Sequence, residues 1–183
     1  MQKILQQRSK ISFKENCVEE GVVEKCAAYA AREHGDARRA LDLLRVAGEV
    51  AERANHSKIS LKHIDEAEDK IERDRVLDVI ETQPKQFKLT LYSILNICSR
   101  KRNENIFTGD VYDIYKDYCT KVGVRPLTQR RISDIIAELD MQGIINAKII
   151  SKGRYGRTRE ISLAVPNQII PKINEILKEG LGL

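Results

Sequence analysis

Hydrophobic residues recur at steps of three and four along nearly all of this chain and then, after Gly143, at steps of two. That change of period predicts a mainly α-helical protein whose later part closes on a β-hairpin. In the first half, Val22, Val23, Cys26, Ala27, Ala30 and Ala31 form one stripe of a helix over residues 18–34, ended by Gly35. Asp36 can cap the next helix. Along it Ala37, Ala40, Leu41, Leu44, Ala47, Gly48 and Ala51 make a narrow stripe that lets a neighbouring helix come close, while Arg38, Asp42, Arg45 and Glu49 line the other face and can pair. Residues 55–58 are a polar connector. Ser60 is a cap for a helix that carries Leu61, Ile64, Ala67 and Ile71 on to Val76, Val79 and Ile80, where Thr82-Gln83-Pro84 stops it.

Three further helices follow the proline. The first is marked by Phe87, Leu91, Ile94, Leu95 and Cys98. The second starts at Thr108 as cap, carries Val111, Ile114, Tyr115, Tyr118 and Val122, and ends at Gly123. The third starts at the cap Thr128 and buries Ile132, Ile135, Ile136 and Leu139. Residues 144–150 are then rich in β-branched side chains, and residues 159–165 alternate, with Ile161, Leu163 and Val165 opposite Glu160, Ser162 and Ala164. The turn between them contains Gly153-Arg154-Tyr155-Gly156-Arg157-Thr158, glycines for reversal and arginines for projection. A last helix, roughly residues 169–177, presents Ile170, Ile173 and Leu177.

Charge divides the chain where the helix stops. Residues 1–78 hold 15 Lys+Arg against 16 Asp+Glu, net −1, and residues 79–183 hold 17 against 11, net +6. Much of the excess lies between Arg125 and Arg159, where eight basic residues face only Asp134, Glu138 and Asp140. A boundary near Asp78 therefore separates two domains, 1–78 and 79–183, and the second suits a polyanion. With 42% hydrophobic and 32% charged residues the chain is an ordered one. It has no apolar run of the roughly 18 residues a membrane helix needs. Residues 1–10 lack the apolar stretch of a secretory signal, so an intracellular, cytoplasmic protein is expected. Cys17, Cys26, Cys98 and Cys119 form no C-x-x-C pair and have no histidine at a zinc-ligand offset, so no metal site or disulfide framework is indicated. His34, His56 and His63 sit among helix-surface or connector residues without a nucleophile in register, and no catalytic constellation is found.

Helix, helix, helix and a basic hairpin is the order of a winged helix, a helix-turn-helix with an added wing. The third helix is then the reader. Gln129, Arg130, Ser133, Asp134 and Ala137 must face outward, and the Gln129 amide with the Arg130 and Arg131 guanidiniums falls near the end that enters a major groove. Thr128 suits a phosphate oxygen. On the wing, Gly153 and Thr158 flank Arg154, Arg157 and Arg159, which can follow the backbone or enter the minor groove, and Tyr155 offers a stacking face.

The run Glu33-His34-Gly35-Asp36-Ala37-Arg38-Arg39-Ala40-Leu41-Asp42-Leu43-Leu44-Arg45 resembles the sensor-2 helix of AAA+ ATPases, in the form found in archaeal replication initiators related to the origin recognition complex and cell-division-control loader proteins. Ala47-Gly48-Glu49-Val50-Ala51-Glu52, the helix start at residues 60–67, the helix at 85–95 and the G-R-x-G-R-T wing resemble the same family in the same order. The resemblance implies an AAA+ helical lid over residues 1–78 and a winged helix over 79–183 that binds double-stranded origin DNA, with the replicative helicase or other replication proteins as partners and a nucleoid-associated location. It also implies ATP or ADP with magnesium for the full-length family, and makes Arg38 the sensor-2 arginine that reaches the nucleotide phosphates. This chain carries no G-x-x-x-x-G-K-[ST] loop and no apolar strand ending in paired acids. It corresponds to lid plus winged helix alone, a fragment or a shortened relative, and no cofactor or ATP hydrolysis is expected of it in isolation. Taken alone, Arg38 is expected to pair with Asp42. A winged-helix transcription regulator and a protein-interaction platform remain open as alternatives.

Overall fold

Side-chain periodicity becomes structure in two compact units, Met1–Arg75 and Val76–Leu183. The structure is a computed structural model and describes residues 2–14, 16–32, 36–100, 105–151, 153 and 156–183. The first unit contains α1 (Gln2–Ser12), α2 (Val22–Arg32), α3 (Ala37–Arg53) and most of α4 (Leu61–Glu81). The parting falls inside α4, slightly ahead of the Asp78 boundary chosen on charge.

In the first unit Leu5, Val22, Cys26, Ala30, Ala40, Leu43, Leu44, Ala47, Ala51, Ile64 and Ala67 are core. The Asp36 carboxylate accepts the Arg38 N–H at 2.8 Å and starts α3. Gly48 lets the Phe13 ring come close, since a Cβ there would stand 2.8 Å from it and the ring would have to shift. Two expectations are corrected. Helix α2 begins only at Val22, because Gly21 takes a left-handed φ of 86° and Val18 instead forms an isolated parallel bridge with Ile59. Helix α1 has no counterpart in the periodicity, since Leu5 is its one buried residue.

His63 is also not a surface residue. It is 5% exposed, and its Nδ1 accepts the Ser60 N–H at 2.9 Å, so the helix start is closed by a histidine in the third position. Its Nε2 lies 2.8 Å from His56 Nδ1. Because Nδ1 is occupied as an acceptor, the proton of neutral His63 sits on Nε2 and is donated to His56.

The second unit is built around α5 (Lys85–Arg100), where Leu89, Thr90, Leu91, Tyr92, Ser93, Ile94 and Leu95 are all buried in succession. A single stripe was expected, but neighbours surround this helix. Its buried hydroxyls are satisfied within it, Thr90 donating to the Gln86 carbonyl at 2.8 Å and Ser93 to the Leu89 carbonyl at 2.7 Å. Then come β1 (Ile106–Phe107), α6 (Thr108–Val122), α7 (Gln129–Met141), β2 (Ile145–Ser151), β3 (Arg157–Leu163) and, after a 3₁₀ turn at Asn167–Ile169, α8 (Ile170–Leu181). The strands pair antiparallel in the order β1-β3-β2. Strand β1 was not anticipated, being only two residues long. The chain is thus a mainly helical unit followed by a winged helix-turn-helix with a β-hairpin wing.

Thr108 is a further correction. It is buried, the residue before it occupies the cap, and the Asp110 carboxylate accepts the Phe107 N–H at 2.9 Å. The Thr108 hydroxyl instead accepts the Arg159 N–H at 3.4 Å, which ties α6 to β3.

Candidate nucleic-acid interface

Helix α7 is oriented by its apolar face. Ile132, Ile135, Ile136 and Leu139 are buried, which leaves Gln129, Arg130, Arg131 and Asp134 exposed. Its start is fixed by neutral hydrogen bonds. Tyr115, fully buried, donates its hydroxyl to the Gln86 side-chain oxygen and accepts the Leu127 N–H at 2.9 Å; Tyr112 donates to the Leu127 carbonyl at 3.1 Å. Burial pushes the Tyr115 hydroxyl far above the ordinary range, so it stays a donor at physiological pH. The chain then enters α7 through Thr128, whose hydroxyl accepts the Arg131 N–H at 3.4 Å while its own proton remains available.

The far end of α7 holds the hairpin. The Asp140 carboxylate accepts the Ala147 N–H of β2 at 2.9 Å, on the edge that β3 does not cover. Since β1 and Thr108 brace β3 on its other side, the root of the wing is held from both edges. At the tip the Gly156 N–H donates to the Gly153 carbonyl at 3.1 Å, and left-handed φ values of 60° at Gly153 and 86° at Gly156 require glycine there.

Between α7 and the hairpin lies a cleft of about 480 Å³ lined by Thr108, Gln129, Arg130, Ser133, Ile149, Arg157, Thr158 and Arg159. Six sequence-predicted residues therefore meet on one side of the unit: Gln129, Arg130, Ser133, Arg157, Thr158 and Arg159. Arg131 does not join them and stands 3.8 Å from Asp134 on the helix surface. Thr128 and Gly153 lie outside the lining; Arg154 and Tyr155 lie outside the described residues. Among the described residues, Arg130, Arg157 and Arg159 have no ion-pair partner. Thr108 and Ile149 were missed. The first reads as a helix cap, and the second as one more β-branched strand residue.

In the first unit Arg38 is exposed and does not take Asp42. Arg45 does, at 2.7 Å, and it also pairs with Glu49. Arg39 is the structural neighbour, contacting Glu68 at 3.0 Å and Glu72 at 2.8 Å on α4. Arg38 has no ion-pair partner among the described residues, and no group of three or more His, Cys, Asp or Glu among them could hold a metal ion. A groove of about 970 Å³ beside Phe13, Leu44, Gly48 and Ile59 gathers none of the predicted residues. The four thiols are free and at least half-buried; burial pushes Cys26 up to about 12. No helix among the described residues is long and apolar enough to cross a membrane.

Comparison with known proteins agrees with this architecture. Residues 2–69 match the Cdc6 AAA+ ATPase-type lid domain and residues 78–172 match the CDC6, C terminal winged helix domain. The chain is 52% identical over 171 residues to the ORC1-type DNA replication protein 1 of Methanosarcina acetivorans, covering 93% of this chain and 41% of that one. It is 53% identical over 175 residues to the ORC1-type DNA replication protein of Pyrococcus furiosus, covering 96% and 41%. It thus spans about two-fifths of the length of these relatives. Among solved structures, the Aeropyrum pernix ORC1 protein in complex with DNA superimposes with a TM-score of 0.78 at 44% identity, over 97% of this chain and 45% of that one. Lid, winged helix and relatives together assign the chain to the Cdc6/ORC1 family of AAA+ replication proteins.

Proposed function

We propose that the second unit grips duplex DNA at a replication origin, with α7 in the major groove and the hairpin along the adjoining backbone or in the minor groove. The observation that carries this reading is the cleft on which the Gln129 amide, the Ser133 and Thr158 hydroxyls and three guanidiniums without ion-pair partners among the described residues converge. Gln129 and Arg130 have the donor and acceptor geometry to read adenine and guanine edges, each good pair discriminating by about 1–3 kcal/mol. Ser133, Thr128, Gly153, Arg157, Thr158 and Arg159 serve the phosphates, and Arg154 with Tyr155 extends that contact at the tip. Arg131, turned toward Asp134, has the smaller part. The likeness to a relative known in complex with DNA supports the reading.

In this proposal the first unit links the grip to an ATPase domain, where Arg38 is free to meet nucleotide phosphates, and contacts with the replicative helicase or other replication proteins follow from the same role. The chain alone turns over no ATP; steady phosphate release with ATP and magnesium that depends on it would refute that.

The test is a titration of the full chain with labelled duplexes across a salt series. The logarithm of the binding constant should fall by about 0.9 per log unit of salt for each phosphate neutralised. Arg130→Ala should flatten the preference among sequences while leaving a salt-dependent grip. Affinity indifferent to salt would remove the basis of the proposal.

A further inference from the structure

Ile149 is 61% exposed, yet it stands on the sheet face that buries Ile145 and Ile161. The register explains the contrast. Ile145, Ala147, Ile149 and Ser151 share one face of β2, opposite Leu163, Ile161, Arg159 and Arg157 of β3. The root of this face is core, and the same face continues past the body as the hairpin wall of the cleft. There Ile149 is paired across the strands with Arg159 and lines the cleft together with Gln129, Arg130 and Ser133.

A lone exposed hydrophobic residue is ordinary. One set among guanidiniums that have no ion-pair partner among the described residues, on the wall of a concave surface, has a more particular use. A duplex with a helix in one groove and a hairpin toward the next must pass one strand between them. That strand alternates charged phosphates with deoxyribose rings, whose carbon faces are its apolar part. The arginines suit the first and a branched hydrocarbon suits the second.

We infer that Ile149 packs against a deoxyribose of the strand that crosses the cleft and supplies an apolar, salt-independent share of the grip. The inference rests on the duplex-binding reading given above. A sugar is favoured over a thymine methyl because Ile149 lies on the hairpin wall beside Arg159, whereas the base-edge groups lie on α7. An apolar contact releases no counterions, so it leaves the salt slope untouched, which separates it from every arginine in the cleft.

The experiment measures the full chain, its Ile149→Ala variant and its Ile149→Val variant on two duplexes of equal length, one alternating A·T and one alternating G·C, across the same salt series. Ile149→Ala should weaken both duplexes about tenfold, with parallel salt slopes, and Ile149→Val by about twofold. Valine keeps the β-branched shape, so it retains the strand even if alanine loosens it. Unchanged affinity in both variants overturns the inference. A changed salt slope overturns it too, because the side chain would then act by placing Arg159. Loss confined to the A·T duplex replaces the sugar with a thymine methyl and also overturns it. If the unaltered chain binds neither duplex, the duplex-binding reading itself has failed.

Discussion

The two units contain nearly the same number of cations and use them differently. Residues 1–78 hold 15 and residues 79–183 hold 17, but the first set faces 16 acids and the second 11. In the first unit cations are spent on internal acids: Lys25 on Asp65 at 2.7 Å and Arg39 on Glu68 and Glu72 tie helices together, and Arg45 pairs with Asp42 and Glu49 along α3 itself. In the second, α7 and the hairpin are located by an apolar core and neutral groups, Tyr115, Tyr112, Gln86 and Thr108, together with the Asp140 carboxylate. Arg130, Arg157 and Arg159 are thereby left without internal ion-pair partners among the described residues. A count of basic residues would have missed this; the lesson lies in which acids are placed within reach.

The sharpest way to break the comparison is to remove two of those cations. Arg157→Ala combined with Arg159→Ala should cut duplex affinity about a hundredfold and lower the salt slope by about 2, with the melting temperature unchanged. A loss of folding instead would mean the arginines are structural. Arg39→Ala should do the reverse. Arg39 and Glu68 are only 18% and 16% exposed at their side chains, so stranding the glutamates should destabilise the first unit by about 2 kcal/mol, read by amide exchange, while duplex affinity stays within a factor of two.

Tyr115→Phe tests the neutral network. It strands the Leu127 N–H and should cost the second unit about 1–1.5 kcal/mol, with a few-fold loss of affinity as the start of α7 loosens. The smallest effect is a matter of pH. The Lys25 ammonium and the Tyr29 hydroxyl hold the Asp65 carboxylate below its usual range. Its contribution is therefore complete above the ordinary carboxylate pKa of about 4 and is lost as pH falls through the lowered value. Asp65 is largely exposed, so Asp65→Asn should cost about half a kcal/mol at neutral pH and nothing once both proteins are well below pH 4, as followed by thermal melts.

The periodic helices, the caps at Asp36 and Thr128, the glycine turn and the hairpin were legible in the sequence because each depends on neighbours a few residues away. What was illegible depends on distant ones. Helix α1 inserts a single leucine. Strand β1 exists because β3 has a free edge. Thr108 carries the signature of a cap and is spent on Arg159, across the fold. Arg38 lies four residues from Asp42 and Arg45 three, both within helical reach, and only the packed helix shows which one takes it. Of the candidate interface, the amide and the arginines could be chosen by residue type, but the cleft that gathers them, and the exclusion of Arg131 from it, required the angle between α7 and the hairpin.

That angle is locked on both flanks, by Asp140 at one edge of the wing and by the β1 ladder at the other. A gauge with fixed jaws does not adjust to the object it measures. On the duplex-binding reading, DNA must bring its own backbone to the spacing on offer, so stiff and pliable sequences will be told apart at steps where no side chain touches a base.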